Sequence, residues 1–478
     1  MVRPTATGSA TTVTTRDAGR ALASLALAML LSSLGVSIAN VALPTLAQAF
    51  DAPFQAVQWV VLAYLLAITV LIVGVGRLGD VVGRRRVLLG GILLFTVASV
   101  LCGLAPTLGT LIAARALQGL GAAALMALTV ASVGASVPPE RTGSAMGLLG
   151  TMSAIGTALG PSLGGLLIAG PGWRAIFLAM AGLGALTFGL AWRRLPDREQ
   201  EATAGPAGFD IPGTILLGLT LAAYAMAMTV GRGRFEGGNL ALLLAAAVGV
   251  GLFVAVEART KAPLIRLSAF RDAGLSTGLV ANLLVSTVMM ATLVVGPFYL
   301  SRALGLDAAA VGAVMSIGPV ISAFSGVPAG RLVDRFGAPA MVGGGLVAMA
   351  TGCLALSLLP GLLGVAGYVA ALAVLTPGYQ LFQAANNTAV MTGVGADRKG
   401  VVSGVLSLSR NLGLITGASV MGTVFALAAA TGDVATAGPD AVATGMRITF
   451  AVAAGLMVVA LVVTTAGRPR QSLADELR

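Results

Sequence analysis

The chain has 478 residues, of which 57% are hydrophobic and only 10% are charged. That composition excludes an ordinary soluble domain, because so much apolar surface has to face lipid. The formal net charge of +11 would indicate nucleic-acid binding in a soluble protein. Here the basic residues lie in short loops between apolar stretches, where they set membrane orientation. We therefore expect a lipid bilayer, and no nucleic acid, as the partner of the chain.

The side chains that most enzymes and metal sites need are missing or scattered. The sequence contains no histidine, which is the commonest proton shuttle and metal ligand. Cys102 and Cys353 lie in separate apolar stretches, whereas a disulfide framework or a metal site needs clustered ligands. No catalytic triad or carboxylate pair can be assembled from what remains. The sequence predicts no enzyme activity, no cofactor and no metal.

Fourteen apolar stretches follow one another, each near the length of about 20 residues that a helix needs to cross a bilayer. They fall at about 21–46, 57–76, 87–105, 108–135, 141–169, 173–192, 211–230, 239–257, 274–301, 309–329, 338–359, 364–393, 400–429 and 443–466. The first is too long for the apolar core of a cleaved signal peptide. We therefore expect an all-α membrane protein with 14 transmembrane helices, a disordered cytosolic tail at 1–20 and a second tail at 468–478.

The distribution of lysine and arginine among the loops predicts the orientation of the chain in the membrane. An even number of spans puts both termini on one side of the membrane. If that side is the cytosol, the opposite loops contain only Arg174, Arg232, Arg234, Arg302 and Arg447, and most of the 29 lysines and arginines lie inside. Cytosolic loops of membrane proteins carry such an excess. The pattern predicts a multi-pass protein with both termini in the cytosol.

One loop sequence occurs twice, as GRLGDVVG at 76–83 and as GRLVDRFG at 330–337. The first copy joins spans 2 and 3 and the second joins spans 10 and 11, so two helices have been added between two six-helix bundles. The predicted domains are a first bundle at 21–193, a linker with two extra helices at 194–273 and a second bundle at 274–467. Many secondary transporters are duplicated bundles with the substrate site between the copies, so transport is the leading hypothesis. The nearly all-apolar inserted pair is expected to be a lipid-facing spacer.

The duplicated loop places acidic and basic side chains at a helix junction. Asp80 can accept hydrogen bonds from backbone N–H groups at a helix start and pair with Arg77 or Arg84. In the second copy Asp334 lies beside Arg335. Such a charge cluster can stabilise one conformation and release it in another, so we predict a gating role. The alternative is a static loop that only sets topology.

Arg115 lies well inside span 4, with Gln118 three residues later on the same helix face. A cation within a bilayer is expensive and indicates function by default. Because the sequence names no structural partner, we expect Arg115 to bond a substrate, Gln118 or a proton-linked water, and to take part in coupling. A structural arginine bonded to carbonyls is the alternative.

Span 5 contains a stripe of glycines at 156, 160 and 164, with Pro161 beside Gly160. Small residues at this spacing allow close helix packing, and proline kinks or weakens a helix. The stripe therefore predicts either a hinge or seal between the two bundles, or plain helix packing.

These three motifs resemble the loop, span-4 and span-5 signatures of the major facilitator superfamily. The stretches at 34–44, 59–64, 263–265 and 269–271 are similar to its fourteen-spanner drug:proton antiporters. The resemblance covers nearly the whole chain. It implies a major-facilitator fold in a bacterial cytoplasmic (inner) membrane, and export of drugs, antibiotics or related amphipathic metabolites by alternating access in exchange for protons.

One departure from the family pattern concerns coupling. The family usually has an acidic residue early in the span-1 signature, where this chain has Gly35, and none of the 18 acidic residues lies mid-span. A permanently cationic drug would need a buried carboxylate, so neutral, zwitterionic or anionic substrates are favoured. A facilitator or importer of a neutral or anionic metabolite, without proton coupling, stays open as the alternative.

Polar residues at helical spacing within spans are the candidates for the wall of a substrate cavity. The predicted substrate-binding residues are Ser37, Asn40, Gln118, Asn282, Tyr379, Gln383, Asn386, Arg410 and Asn411. Polar side chains in membrane helices also join helices to one another. A receptor or scaffold without transport is the hypothesis from another class, but a scaffold needs neither duplicated gating loops nor a midplane arginine. We expect a monomer.

Overall fold

The computed structural model describes residues 15–136, 142–195, 210–229, 237–260, 273–391, 399–429 and 437–466. Within these ranges every regular element is helical. The α-helices are α1 (Thr15–Ala49), α2 (Phe54–Val57), α3 (Trp59–Val82), α4 (Arg84–Leu104), α5 (Leu108–Ser136), α6 (Thr142–Ala169), α7 (Arg174–Arg194), α8 (Ile211–Thr229), α9 (Gly237–Arg259), α10 (Ala273–Phe298), α11 (Ala308–Phe336), α12 (Ala338–Met391), α13 (Lys399–Thr416), α14 (Gly422–Ala428) and α15 (Pro439–Ala466). A π-helical segment, Tyr299–Ala303, continues α10, and a second, Gly417–Met421, joins α13 to α14.

The helices provide fourteen membrane crossings. Thirteen continuous helical stretches among the described residues are long and apolar enough to cross a membrane. One of them, α12, has 54 residues and is broken at Gly364, whose φ of 57° and ψ of −131° are not helical. At about 1.5 Å per residue it is far longer than the roughly 30 Å hydrocarbon core, so it contains two spans. The predicted all-α fold, with two six-helix bundles and two inserted helices, is confirmed.

The two copies of the duplicated loop have the same backbone design. Gly83 ends α3 at φ 105° and Gly337 ends α11 at φ 80°. In each case the glycine N–H bonds the carbonyl four residues earlier, and the next helix starts at once. Residues that carry a side chain rarely adopt such positive φ values, which is why glycine ends both motifs. We call the end of the bundle that contains these two glycines the motif end, and the opposite end the far end.

The inserted helices differ from each other in their contacts. Much of α9 is exposed, including Leu240 and Leu244, as expected of a helix that faces lipid. By contrast, α8 bonds both six-helix halves. The Trp59 indole of the first half donates to Thr229 over 3.0 Å, and the Tyr224 hydroxyl donates to Thr416 of the second half over 3.2 Å. Ile215 and Leu219 of α8 are nevertheless exposed, as are the apolar residues of α9. The lipid-facing spacer stays a prediction for both helices, and α8 adds hydrogen bonds to both halves that no local pattern predicts.

Candidate functional site: a cavity between the two halves

A central cavity lies between the first half (α1–α7) and the second half (α10–α15). The first half contributes Ser33, Val36, Leu65, Ile68, Met126, Ser153 and Thr157. The second half contributes Ser286, Met289, Thr292, Leu293, Met315, Gly318, Pro319, Ser322, Tyr368, Leu372, Thr376, Tyr379, Arg410, Asn411 and Leu414. Both copies of the bundle therefore build one site, as expected for a duplicated transporter.

The cavity accommodates a sizeable molecule. Its volume is about 200 Å³, whereas a single water occupies roughly 10–15 Å³ on the same measure. Most of its wall is apolar, and Met126, Met289 and Met315 add flexible, polarizable surface that adapts to ligands of different shape. Hydroxyl and amide groups from both halves interrupt this apolar surface. Such a wall fits amphipathic ligands better than strongly polar ones.

Arg410 is the charged residue of this wall. It also lines a second, smaller cavity, together with Asn282, Gln383, Asn387, Met391, Leu406 and Ser407. Met391 ends α12 at the motif end, so the smaller cavity extends from the central one towards that end. Neither cavity is lined by a carboxylate among the residues that the structure describes.

The predicted substrate-binding residues divide into two groups. Tyr379, Arg410 and Asn411 line the central cavity, and Asn282 and Gln383 line the smaller one. The remaining four, Ser37, Asn40, Gln118 and Asn386, are buried outside both walls.

Two of the buried four lie on α1 and bond backbone. The Ser37 hydroxyl donates to the Gly156 carbonyl over 3.3 Å, and the Asn40 amide donates to the Val36 carbonyl over 2.8 Å. The Ser37 bond joins α1 to α6, the alternative that the sequence left open, whereas the Asn40 bond stays within α1. Sequence reasoning missed Ser153 and Thr157 of α6, although their spacing of four residues was a usable signal.

Arg115 lies in a closed hydrogen-bond network within the first half. Its side chain is 0% exposed. Its Nε donates to the Val60 carbonyl over 2.8 Å, one terminal nitrogen donates to the Gly35 carbonyl over 3.1 Å, and the other donates to Gln118. The guanidinium also lies 4.1 Å from the centroid of the Tyr64 ring. The arginine therefore joins α1, α3 and α5 and does not face the cavity.

Tight packing at Gly35 leaves no room for an acidic side chain at this position. A Cβ built on Gly35 would lie 2.5 Å from the Tyr64 hydroxyl oxygen, so no larger side chain fits in this arrangement. That hydroxyl donates to the Ser32 carbonyl over 2.9 Å. Aromatic surface and backbone carbonyls thus surround Arg115 where a carboxylate would otherwise balance its charge.

The glycine stripe of span 5, now α6, packs inside the first half. Cβ atoms built on Gly156 and Gly160 would lie 2.5 Å from the Leu30 carbonyl oxygen and 2.0 Å from the Ser37 hydroxyl oxygen of α1. The next face of α6 meets the second half. A Cβ on Gly312 of α11 would lie 2.4 Å from the Pro161 carbonyl oxygen. One helix therefore carries both an internal packing face and a contact between the halves.

Further contacts between the halves lie at the far end. The Phe54 ring is 4.7 Å from that of Phe298 and 5.8 Å from that of Phe425, measured between centroids. The Gln58 amide donates to the Ala418 carbonyl over 2.9 Å. Ala418 belongs to the second π-helical segment, a type of irregularity that is common at functional sites. The halves are closed together at the far end, beyond the cavity.

The charged side chains of the two duplicated loops lie at the motif end. Arg84 donates to the Ala131 carbonyl over 2.8 Å, which ties the start of α4 to α5. The side chains of Arg77 and Asp80 lie outside the described residues. In the second copy Asp334 and Arg335 are exposed, and the Arg335 guanidinium lies 5.2 Å from the Phe336 ring centroid. The gating role stays a prediction for both loops.

Comparisons with known proteins agree on one family. Residues 25–418 match the model of the Major Facilitator Superfamily. The chain is 34% identical over 400 residues to multidrug resistance protein Stp of Mycobacterium tuberculosis, covering 81% of this chain and 72% of that protein. The chain belongs to the Major Facilitator Superfamily.

Other members of this superfamily show how widely the fold is used. The chain is 29% identical to riboflavin transporter RibZ of Clostridioides difficile, over 84% of this chain and 87% of that one. A bacterial homologue of the human lysosomal transporter Spinster has the same fold, with a TM-score of 0.66 at 17% identity over 95% of this chain and 97% of its own. This major facilitator is therefore a multi-pass membrane transporter. No group of ligands that could hold a metal occurs among its described residues.

Proposed function

We propose that this major facilitator exports small amphipathic molecules, such as drugs, antibiotics or related metabolites, by alternating access in exchange for protons. The observation that carries the proposal is the cavity between the halves, with its largely apolar wall, its methionines and its scattered polar groups. A relative that is named a multidrug resistance protein supports drugs as the class of substrate. Membership of a transporter family supports a non-enzymatic function.

The proposed setting is the cytoplasmic (inner) membrane of a bacterium, with both termini in the cytosol. The excess of basic residues in the loops on that side supports the orientation. The motif end then faces the cytosol, and the closed far end faces outside. In this orientation the structure is an inward-facing state that takes substrate from the cytosol. The domain boundaries at 193 and 273 and the monomeric state belong to the same proposal.

Two elements are proposed to control the alternation. At the motif end, Asp80 with Arg77 and Arg84 stabilises the state in which the cytosolic side is closed, and Asp334 with Arg335 does the same in the second copy. At the far end, Pro161 of α6 forms the seal against the second half, and Gly160 beside it holds α6 against α1. Arg115, held in its network, is proposed to couple proton binding to the movement of α1, α3 and α5.

A facilitator or importer without proton coupling is the second candidate. The observation in its favour is that no carboxylate lines either cavity among the described residues. The riboflavin transporter among the relatives shows that the family includes proteins named for a metabolite.

Transport into or out of proteoliposomes separates these candidates. Purified protein is reconstituted with and without an imposed pH gradient and offered anionic, neutral and cationic amphiphiles. An exporter coupled to protons accumulates substrate against its gradient only when the pH gradient is present, and Asp80→Asn should weaken the response more than Asp334→Asn. Transport that ignores the pH gradient in the wild type promotes the facilitator instead.

A further inference from the structure

Three hydrogen-bond donors at one wall of the central cavity lack acceptors. Arg410 Nε, the Asn411 side-chain nitrogen and the Ser286 hydroxyl are buried without hydrogen-bond partners among the described residues. Asn411 is 4% exposed and Ser286 is 1% exposed. All three residues line the same cavity. Buried polar groups are nearly always paired in native proteins, so three orphan donors on one wall indicate an acceptor that binds there.

Close packing of two helices fixes these donors. On α13, a Cβ built on Gly413 would lie 2.3 Å from the Leu283 carbonyl oxygen and 2.7 Å from the Ser286 Cβ of α10. The Ser409 hydroxyl donates to the Leu279 carbonyl over 2.6 Å on the same contact. Because α13 is held directly against α10, Ser286 and the Arg410–Asn411 pair belong to one rigid wall rather than to two separately moving helices.

The charge of the wall is unbalanced. Arg410 is half-buried, and no acidic residue lines the central cavity or the smaller one among the described residues. This distinguishes Arg410 from Arg115, whose nitrogens are all bonded to carbonyl or amide oxygens. A cation inside a membrane protein that has no protein counter-charge marks a functional site by default.

We infer that Arg410, Asn411 and Ser286 bind the anionic head group of the substrate, so that the transported class is organic acids with an apolar body. A carboxylate or sulfonate offers only acceptors and therefore matches three donors, one of them charged. The apolar body lies against Leu65, Ile68 and Met126 of the opposite half. The inference rests on the proposed transport function and names its substrate class.

Matched fluorescent ligands test the inference directly. Dansylate, a sulfonate, and dansylamide, its neutral sulfonamide, share one ring system and differ in the charge of the head group. Binding of each is measured by fluorescence to full-length protein in phosphatidylcholine nanodiscs. The variants are Arg410→Met, Arg410→Lys and Asn411→Leu, with Arg193→Met as the control, because Arg193 is exposed at the end of α7, away from the cavity.

Wild type and Arg193→Met should bind dansylate more tightly than dansylamide. Arg410→Met should weaken dansylate binding roughly tenfold or more, because hydrogen bonds to charged groups contribute that much, and should leave dansylamide binding nearly unchanged. Arg410→Lys should keep part of the preference, since it keeps the charge but loses the fork of donors. Unchanged dansylamide binding also shows that each variant is folded.

Equal affinity of the wild type for both ligands, or an Arg410→Met variant that keeps the preference for dansylate, would overturn the inference. Efflux of the same two ligands from proteoliposomes separates this failure from failure of the proposed function. If dansylamide is exported and dansylate is not, the exporter stands and the acid-binding wall is wrong. If dansylate binds through Arg410 but neither ligand is moved, the binding site stands and the proposed transport function is wrong.

Discussion

At the scale of single residues, two intramembrane arginines have opposite surroundings. Arg115 is fully enclosed and every bonded nitrogen reaches a carbonyl or amide oxygen within the first half. Arg410 faces the cavity and leaves its Nε without a partner among the described residues. The first therefore stabilises the packing of three helices, and the second is available to a ligand.

Replacing Arg115 with methionine should lower the stability of the protein. The change leaves the Gln118 amide oxygen without its donor, at a cost on the order of 1–3 kcal/mol for a buried unsatisfied group, and removes the bonds to the Val60 and Gly35 carbonyls that join the helices. The melting temperature of purified protein, followed by size-exclusion chromatography after heating, measures the effect. Arg193→Met is the exposed control and should change stability by less than about 0.5 kcal/mol. An Arg115→Met protein that is as stable as the wild type would contradict the structural role of the network, and loss of transport by that protein would leave only the proposed coupling role.

Gly35→Ala should disturb the same network through Tyr64. The new Cβ would lie 2.5 Å from the Tyr64 hydroxyl oxygen, and overpacking of this kind costs roughly 1–3 kcal/mol. Tyr64→Phe removes that oxygen, so the double variant should recover part of the lost melting temperature. Gly90→Ala is the control, because a Cβ there has nothing within 4 Å. Equal stability of Gly35→Ala and Gly90→Ala would contradict the packing argument.

At the scale of elements, the crossing of α6 and α11 decides whether the far end can close. The two helices meet backbone to backbone, since a Cβ on Gly165 would lie 2.9 Å from the Gly312 Cα and 2.5 Å from the Ala308 carbonyl oxygen. Helices in membranes approach this closely only where small residues meet. The duplicated fold therefore depends on a glycine from each half at one point of contact.

Gly312→Ala should open the far end. Its Cβ would lie 2.4 Å from the Pro161 carbonyl oxygen, and backbone cannot move aside as a flexible side chain does. A penalty of roughly 1–3 kcal/mol shifts the balance between open and closed states about 5–150-fold. The readout is labelling of Leu293→Cys in the cavity by an impermeant thiol reagent, after replacement of Cys102 and Cys353. The reagent is added to intact cells, to which the proposed orientation exposes the far end.

Gly326→Ala, on the same helix, is the matched control for this experiment. A Cβ at Gly326 has nothing within 4 Å, so labelling should stay at the level of the parent protein. If Gly312→Ala and Gly326→Ala label equally fast, the crossing of α6 and α11 does not hold the far end closed.

At the scale of the whole molecule, the orientation of the chain in the membrane determines the direction of transport. The smaller cavity extends from the central one towards the motif end, while the far end is closed. The side of the membrane that the motif end faces therefore determines which compartment supplies the ligand. The helix α8 bonds both halves and therefore has to bend or release one contact when the halves move.

Cysteines at the two ends test the orientation. After Cys102 and Cys353 are replaced, Gly438→Cys at the far end should react with an impermeant thiol reagent outside intact cells. Phe336→Cys, at an exposed position within the second copy of the duplicated loop, should react only after the cells are permeabilised. The opposite pattern would place both termini outside and reverse the proposed direction of transport.

The sequence by itself determined the architecture. Hydrophobic length predicted the fourteen crossings, because each span is recognised from consecutive residues. The duplicated loop predicted two bundles with an inserted pair, because two copies of one motif can be matched along the chain without knowledge of the packing. Gly83 and Gly337 are a further local signal, because a helix that ends at positive φ favours glycine whatever surrounds it. Local features of this kind can be predicted without knowing how the helices pack.

Only the tertiary structure decided what each polar residue touches. Arg115 and Arg410 look alike in sequence, each a single cation in an apolar span followed by an amide side chain. Helical spacing fixes which residues share a face of one helix, but not which neighbour covers that face. The Val60 and Gly35 carbonyls that enclose Arg115 come from other helices, and so does the Ser286 hydroxyl that shares a cavity wall with Arg410. The difference between a packed arginine and one that is free for a ligand therefore arises only when the helices assemble.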